Sequence, residues 1–286
     1  MQKRTLLAIL AHPDDESYGT GGTLARYAAE GVDVHVAIAT DGAAGSIAEG
    51  WEGDRARLAE ARALELAAAC HILGITLHNL GYRDSGYIND PANKHPDAFI
   101  QADKTEAVGG VVRLIRELRP QVIITHDETG GYFHPDHIQC YVITTAAVTA
   151  AADPQQYPEI GTAPFQIERL YCTVFSNRWV KFISFLMRLR GQDPTQVGRN
   201  KDIDLTRLGV PPRKVHAVIN YRRYWDAKQQ ASAAHYSQGG GTGFSRLLPT
   251  WLFKLFMANE SYMQVYPPTP DGFRERDLYT GLKSQG

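Results

Sequence analysis

Between residues 5 and 151, short apolar runs alternate with longer Ala-rich stretches, and this alternation leaves the chain few folds to choose from. Residues 5–11, 33–40, 76–80 and 121–126 are short and mostly rich in Leu, Ile, Val and Ala, as strands buried on both faces are. Residues 21–30, 54–73, 104–118 and 135–151 read as the intervening helices. Gly31, Gly74 and Arg119-Pro120 stop the first three, and Pro135 opens the fourth at the position helices prefer for it. Strand and helix in turn predict a mostly parallel sheet with helices on both faces, a Rossmann-like α/β fold. After about residue 152 the pattern loosens. Residues 168–175 and 214–220 read as further strands and 221–236 as a helix, whereas 191–212 is polar and broken by Gly and Pro. Gly239 to Gly243 reads as a hinge or lid tip, and the aromatics Trp251, Phe253 and Phe256 as core or subunit interface. With no internal repeat or low-complexity linker, residues 1–286 are expected to form one α/β domain, in which 153–286 is a divergent, pocket-shaping part.

A formal net charge of −1 gives no field that favours nucleic acid or an anionic membrane, so a small, roughly neutral substrate is expected. Cys70, Cys140 and Cys172 form no CxxC pair and read as buried thiols of a reducing compartment. Lys3-Arg4 and the apolar run after them imitate a signal peptide. That run is short, however, and ends in His-Pro-Asp-Asp-Glu where a cleavage site needs small residues. No stretch reaches the ~20 apolar residues of a spanning helix. The nearest, 179–189, is interrupted by Lys181 and Arg188. The expectation is a cytoplasmic protein without a membrane span, its homo-oligomeric state left open.

Open parallel sheets bind ligands at the carboxyl ends of their strands. Two chemically loaded segments fall there: His12-Pro13-Asp14-Asp15-Glu16 after the first strand and Thr125 to His137 after the fourth. His12 and Asp15 are three residues apart, as are His134 and His137, so each loop can aim two groups at one point. Catalytic zinc sites take three His or carboxylate ligands and leave one position for water. His12, Asp15 and His137 fill that shell. Asp14 is then free to act as base and His134 to donate a proton to the leaving nitrogen, with Asp136 holding the His134 ring. The same donor set suits ferrous iron. Taken singly, each motif is explained by turn formation and helix capping. Two His-Pro-Asp segments at two strand-to-helix loops exceed what capping needs.

These segments resemble the PIG-L/LmbE de-N-acetylases, enzymes that deacetylate N-acetylglucosaminyl conjugates in mycothiol, bacillithiol and glycosylphosphatidylinositol biosynthesis. The resemblance is carried in family order by Ala11 to Glu16, Gly81-Tyr82-Arg83-Asp84-Ser85-Gly86, Thr125 to His137, and His235-Tyr236-Ser237-Gln238. It implies a zinc-dependent hydrolase that removes an N-acetyl group from a glucosamine-type sugar conjugate. It also implies His12, Asp15 and His137 as ligands, Asp14 as base, His134 as acid or oxyanion support and Asp136 as its orienting partner. Tyr132 resembles a tyrosine that polarises the amide oxygen, and Arg62 and Asp84 a substrate-holding pair. Against these, Arg62 can equally pair on a helix surface and Asp84 only shape its turn. Phe133 stands where one branch often has Gly, and Tyr87, also expected to border the substrate, where it often has Met.

Other readings stay open. One is an amidase for a different N-acyl or thiol-conjugate substrate, and another a non-catalytic, metal-containing sugar-binding module. A third is a dinucleotide oxidoreductase built on Gly19-Thr20-Gly21-Gly22, which lacks GxGxxG spacing and lies beside an acidic motif that would repel a pyrophosphate. His126 reads as a packed strand-end histidine, and His235 to Gln238 as a helix end or a pocket wall.

Overall fold

The computed structural model describes residues 3–197, 203–240, 254 and 258–282. At its centre is β1 (Thr5–Leu10), in which every residue is buried. Its side chains alternate as a strand's must. Leu7 and Ile9 enter one core with Val111, Ile115 and Ile143, while Leu6, Ala8 and Leu10 enter another with Leu24, Tyr27 and Leu66. The neighbours β2 (Asp33–Thr40) and β4 (Val122–Thr125) run parallel to it on either side, with β3 (Thr76–Tyr82) beyond β2 and β5 (Arg169–Thr173) beyond β4. One face is covered by α2 (Gly21–Ala29), α3 (Leu58–Leu73) and α8 (Trp225–Ala234), the other by α4 (Lys104–Leu118) and α6 (Pro135–Ala152). Two short helices, α1 (Asp15–Tyr18) and α5 (Gly130–Phe133), form within the loops that follow β1 and β4. The fold is therefore the α/β fold expected from the alternation.

The sheet has seven strands in the order β3-β2-β1-β4-β5-β7-β6. Its last two members are β6 (Ala217–Asn220) and β7 (Asn259–Tyr266), and β7 runs antiparallel to both β5 and β6. The sequence reading missed β7, and its burial pattern explains why. The three residues it buries are Glu260, Tyr262 and Gln264, so two polar side chains occupy the positions where an apolar alternation would show. The strand expected over 214–220 begins instead at Ala217, after a 3-10 turn at Pro212–Lys214. Helix α7 (Asn177–Leu189) lies in a stretch read only as an apolar run, and the helix expected over 221–236 is a 3-10 turn, α8 and a second 3-10 turn. Gly241 to Gly243 of the expected hinge, and Trp251, Phe253 and Phe256, lie outside the described residues.

Glu260 has a structural task that bears on function. Its carboxylate accepts the backbone N–H groups of Gly22 and Thr23, at 3.0 and 2.7 Å, where α2 begins. Lys228 Nζ donates to the same carboxylate at 2.5 Å and to the Tyr18 carbonyl at 2.9 Å. Side chain and helix dipole thus neutralise a buried acid. A dinucleotide enzyme presents this helix terminus to a pyrophosphate. Here it is filled from within. A Cβ on Gly22 would lie 2.1 Å from the Tyr221 ring, so glycine is required at this position for packing, with no phosphate involved.

Candidate metal and catalytic site

Because β1 and β4 are adjacent and parallel, with Leu6 beside Val122 and Ala8 beside Ile124, the loops at their carboxyl ends emerge side by side. Strand order reverses here, β2 and β3 lying to one side and β5 to the other, which is where open α/β sheets bind ligands. The loops bring His12, Asp15 and His137 together. His12 Nδ1 lies 3.1 Å from His137 Nε2 and 3.6 Å from Asp15 Oδ2, and His137 Nε2 lies 3.4 Å from Asp15 Oδ2. Tetrahedral bonds of about 2.0–2.1 Å to a metal ion set donors about 3.3 Å apart, so this triangle fits such an ion.

The far side of each ring supports the same fit. His12 Nε2 meets Asp136 Oδ2 at 3.2 Å, and His137 Nδ1 meets the Gly130 carbonyl at 3.1 Å. An oxygen acceptor on the outer nitrogen holds the proton there and turns the other lone pair inward, the usual support of a ligating histidine. Two inward lone pairs 3.1 Å apart repel unless a cation or a proton lies between them. Without a metal, the proton resides on His12. Burial opposes that charge, but Asp84, Asp136 and Asp15 outweigh it and hold the imidazole well above its ordinary pKa. Burial likewise opposes ionising Asp15, yet His137, His126 and His12 keep it well below the carboxylate range.

The same cluster offers two other donor sets centred on His137, one with His12 and His134 and one with Asp15 and His126. Both use a nitrogen with another task. His126, which the sequence reading left outside the site, stacks on His137 at 3.8 Å and approaches Asp15 Oδ2 at 3.5 Å, but its Nε2 accepts the Ala11 N–H at 3.2 Å. His134 Nδ1 accepts the Asp136 N–H at 3.2 Å, so the neutral ring carries its proton on Nε2. Burial and the neighbouring His12 push His134 down to about 3. In this protonation state the ring offers an N–H donor at Nε2, whereas an acid would need the imidazolium. A second expectation also changes. The Asp136 carboxylate does not hold His134; its Oδ2 takes His12 Nε2 and the Ser85 N–H, the latter at 2.9 Å, and its Oδ1 has no partner among the described residues.

Asp14 stands beside the triangle with a backbone φ of 134°, a region that favours glycine. Burial raises its carboxyl to about 7, against the pull of Arg62. Arg62 is not on a helix surface. It is 2% exposed and reaches from α3 under the loop, donating to Asp14 Oδ2 at 3.1 Å, to the Gly42 carbonyl at 2.9 Å and to the Pro13 carbonyl. Gly42, at φ 67°, admits it; a Cβ there would lie 2.5 Å from the guanidinium. Asp84 does shape its turn, accepting the N–H groups of Gly86 and Ala44 at 2.8 and 3.1 Å, and it also faces His12 Nε2 at 3.5 Å.

These groups line a solvent-open cleft of about 210 Å³. Arg62, Asp84 and Tyr87, the expected substrate contacts, all line it, as do His12, Asp14, Tyr132 and His134. Burial raises the Tyr132 hydroxyl above its ordinary range, so it stays protonated. Tyr87 donates to the Tyr132 carbonyl at 2.9 Å and steadies a loop in which Gly130, Gly131 and Phe133 all have positive φ. Gln238, from the stretch read as a helix end or a pocket wall, also lines it, and so do Ser46, Asp90 and Ile203, which were not singled out from the sequence. Those three come from loops without a motif of their own.

The GlcNAc-PI de-N-acetylase (PIG-L) family matches residues 7–148, a span that holds both loops. A 1D-myo-inositol 2-acetamido-2-deoxy-alpha-D-glucopyranoside deacetylase of Rhodococcus erythropolis (strain PR4) is 39% identical over 302 residues, covering 98% of each chain. This chain belongs to the PIG-L family. A deacetylase of the same name from Thermobifida fusca is 36% identical across 98% of this chain and all of its own. Among solved structures, N,N'-diacetylchitobiose deacetylase from Pyrococcus horikoshii superimposes with a TM-score of 0.63 at 18% identity, covering 99% of this chain and 87% of that one. The 4-carboxy-2-hydroxymuconate hydratase GalB of Pseudomonas putida KT2440 does so with 0.61 at 16%, covering 94% and 98%. A hydratase on the same fold means that the sheet alone does not select the reaction. Among the described residues, no helix is long and apolar enough to cross a membrane.

Proposed function

We propose that the chain hydrolyses the N-acetyl amide of a glucosamine-type conjugate, with a divalent cation held by His12, Asp15 and His137. The observation that carries this reading is the donor triangle with Asp14 beside it. Three inward-facing donors suit an ion, and a carboxyl group that is not one of them suits a base. Family membership supports the reaction class, and the relatives named above supply the sugar by their names. Zinc is the ion we favour from the mixed nitrogen and oxygen set. When bound, the cation supplies Lewis-acid polarisation of the amide and acidification of water.

The chain's own residues account for the proton transfers. Asp14, buried and raised to about 7, is poised to take the proton of the attacking water near neutrality. As oxygen joins the carbonyl carbon, negative charge grows on the amide oxygen. Tyr132 and His134, neutral O–H and N–H donors on the cleft wall, meet that charge. When the C–N bond breaks, Asp14 returns the proton to the nitrogen, and acetate and free amine leave. Arg62 orients Asp14, and Tyr87, Ser46 and Gln238 offer polar contacts to sugar hydroxyls. In this reading residues 153–286 act with the first half as one catalytic unit, since Ile203 and Gln238 close the cleft. The three free, buried cysteines accord with a reducing cytoplasm.

The test is amine release from a panel of N-acetylglucosamine conjugates, the inositol-linked one included, by protein stripped of metal and reloaded with zinc or ferrous ion. Release that requires the ion is expected. Release undiminished after stripping, or none from any conjugate, overturns the proposal.

A further inference from the structure

Glu16 is 0% exposed and is not one of the residues that line the cleft. Oε2 accepts the backbone N–H of Asp14 at 2.9 Å, while Oε1 takes the Ser17 hydroxyl at 2.5 Å and His235 Nε2 at 2.6 Å. His235 is also 0% exposed, and it sits just past α8, more than two hundred residues along the chain. Below it, the Asp14 carbonyl accepts the N–H groups of Ser17 and Tyr18, at 3.0 and 2.8 Å, as α1 begins. Asp14 is thus gripped at its amide and at its carbonyl, and it is the residue with φ at 134°. A backbone strained in this way persists only where its surroundings over-determine it. Arg62 restrains the side chain and, at the Pro13 carbonyl, the far side of the peptide that enters Asp14. Among the described residues the Asp14 N–H is accepted by Glu16, and a buried carboxylate keeps its place only with a charged or donating partner.

We infer that His235, acting through Glu16, is a positioning residue for Asp14, holding the strained loop in the geometry that aims the base into the cleft. This rests on the reading of Asp14 as base. It assigns His235 and Glu16 a task apart from both the donor triangle and the substrate wall. The fold built from residues 5–152 brings Asp14 to the strand end, and the C-terminal part sets its final angle. Glu16→Gln preserves the amide acceptor and is the conservative variant; His235→Gln preserves size and a donor while removing the imidazole.

A double-mutant cycle is the test, run on the metal-loaded enzyme with amine release as the assay. His235→Gln is expected to lower kcat ~10–100-fold, the usual worth of a partner that orients another group, with KM and bound metal unchanged. In an Asp14→Asn background the same substitution should cost less than about twofold, because the group it positions no longer works. Glu16→Ala should match the His235→Gln loss and Glu16→Gln recover most of it. Equal losses in both backgrounds would mean general destabilisation and overturn the inference, as would an unchanged kcat in His235→Gln. Crystal structures read the device without turnover. Asp14 should leave φ near 130° in His235→Gln, and an unmoved Asp14 also overturns the inference. A wild-type enzyme inactive on every conjugate defeats the proposed function alone, since the Asp14 backbone still reports on the grip.

Discussion

Two regions of the molecule serve the same site by different means. Residues 5–152 place reactive groups on loops that leave rigid, fully buried strands, with a proline, a helix start and short spacings setting their direction. Residues 203–282 contribute no member of the donor triangle. They contribute grip, through His235 on Glu16, Glu260 and Lys228 on the start of α2, and Ile203 and Gln238 at the cleft edge. The first region carries chemistry that short motifs can encode; the second carries geometry that depends on side chains meeting across the sheet. Losses in the first should therefore be abrupt and tied to the reaction, and those in the second graded or expressed as stability.

The largest effect expected is from His137→Ala, which removes one corner of the triangle. Metal content should fall below one ion per chain and amine release should vanish together with it. Full metal occupancy in this variant, measured by elemental analysis, would remove His137 from the shell and dissolve the contrast between the regions. Next is Asp14→Asn. If Asp14 is the base, the variant retains its metal while kcat falls by at least ~10²-fold; loss of both metal and rate would make Asp14 a ligand.

Lys228→Met addresses the second region. It leaves the Glu260 carboxylate buried without its cation, a change that typically costs ~3–5 kcal/mol. Melting temperature should drop by many degrees, whereas kcat per folded molecule at low temperature should stay within about twofold. A kcat that collapses while the melting temperature holds would show that this network serves catalysis directly. Tyr132→Phe sharpens the first region, because it removes one of two proposed oxyanion donors. We expect kcat to fall about tenfold or more with KM little changed. Gln238→Ala should have the smallest effect, a few-fold rise in KM at constant kcat, because it removes one polar contact from a wall that has several.

Much of the first region was legible in the residues themselves. An apolar run such as 5–11 between turn residues has few uses other than a central strand, and β1 and β4 then bring both His-Pro-Asp loops to one place. The second region was less legible. β7 hides its strand pattern because Glu260 and Gln264 are buried, and Glu260 points to partners far away in sequence, Gly22, Thr23 and Lys228. His126 was set aside because nothing in its neighbours reveals that it would stack on His137. Asp136 was given to His134, two residues away, because proximity in sequence is the only guide before the fold is known. Its carboxylate turns instead to His12.

By itself the sequence determined the α/β sheet, the two strand-end loops and the donor types within them, because periodicity, turn residues and short spacings act over a few residues of chain. Only the tertiary structure decided which nitrogen of each histidine faces inward, which carboxylate backs which ring, and how the Asp14 backbone is held. Those choices depend on hydrogen bonds between groups a hundred or more residues apart, such as His12 with Asp136 and His235 with Glu16. They depend also on burial, which raises Asp14 to about 7 and pushes His134 down to about 3. Desolvation is a property of the folded surroundings, and no local pattern of residues states it.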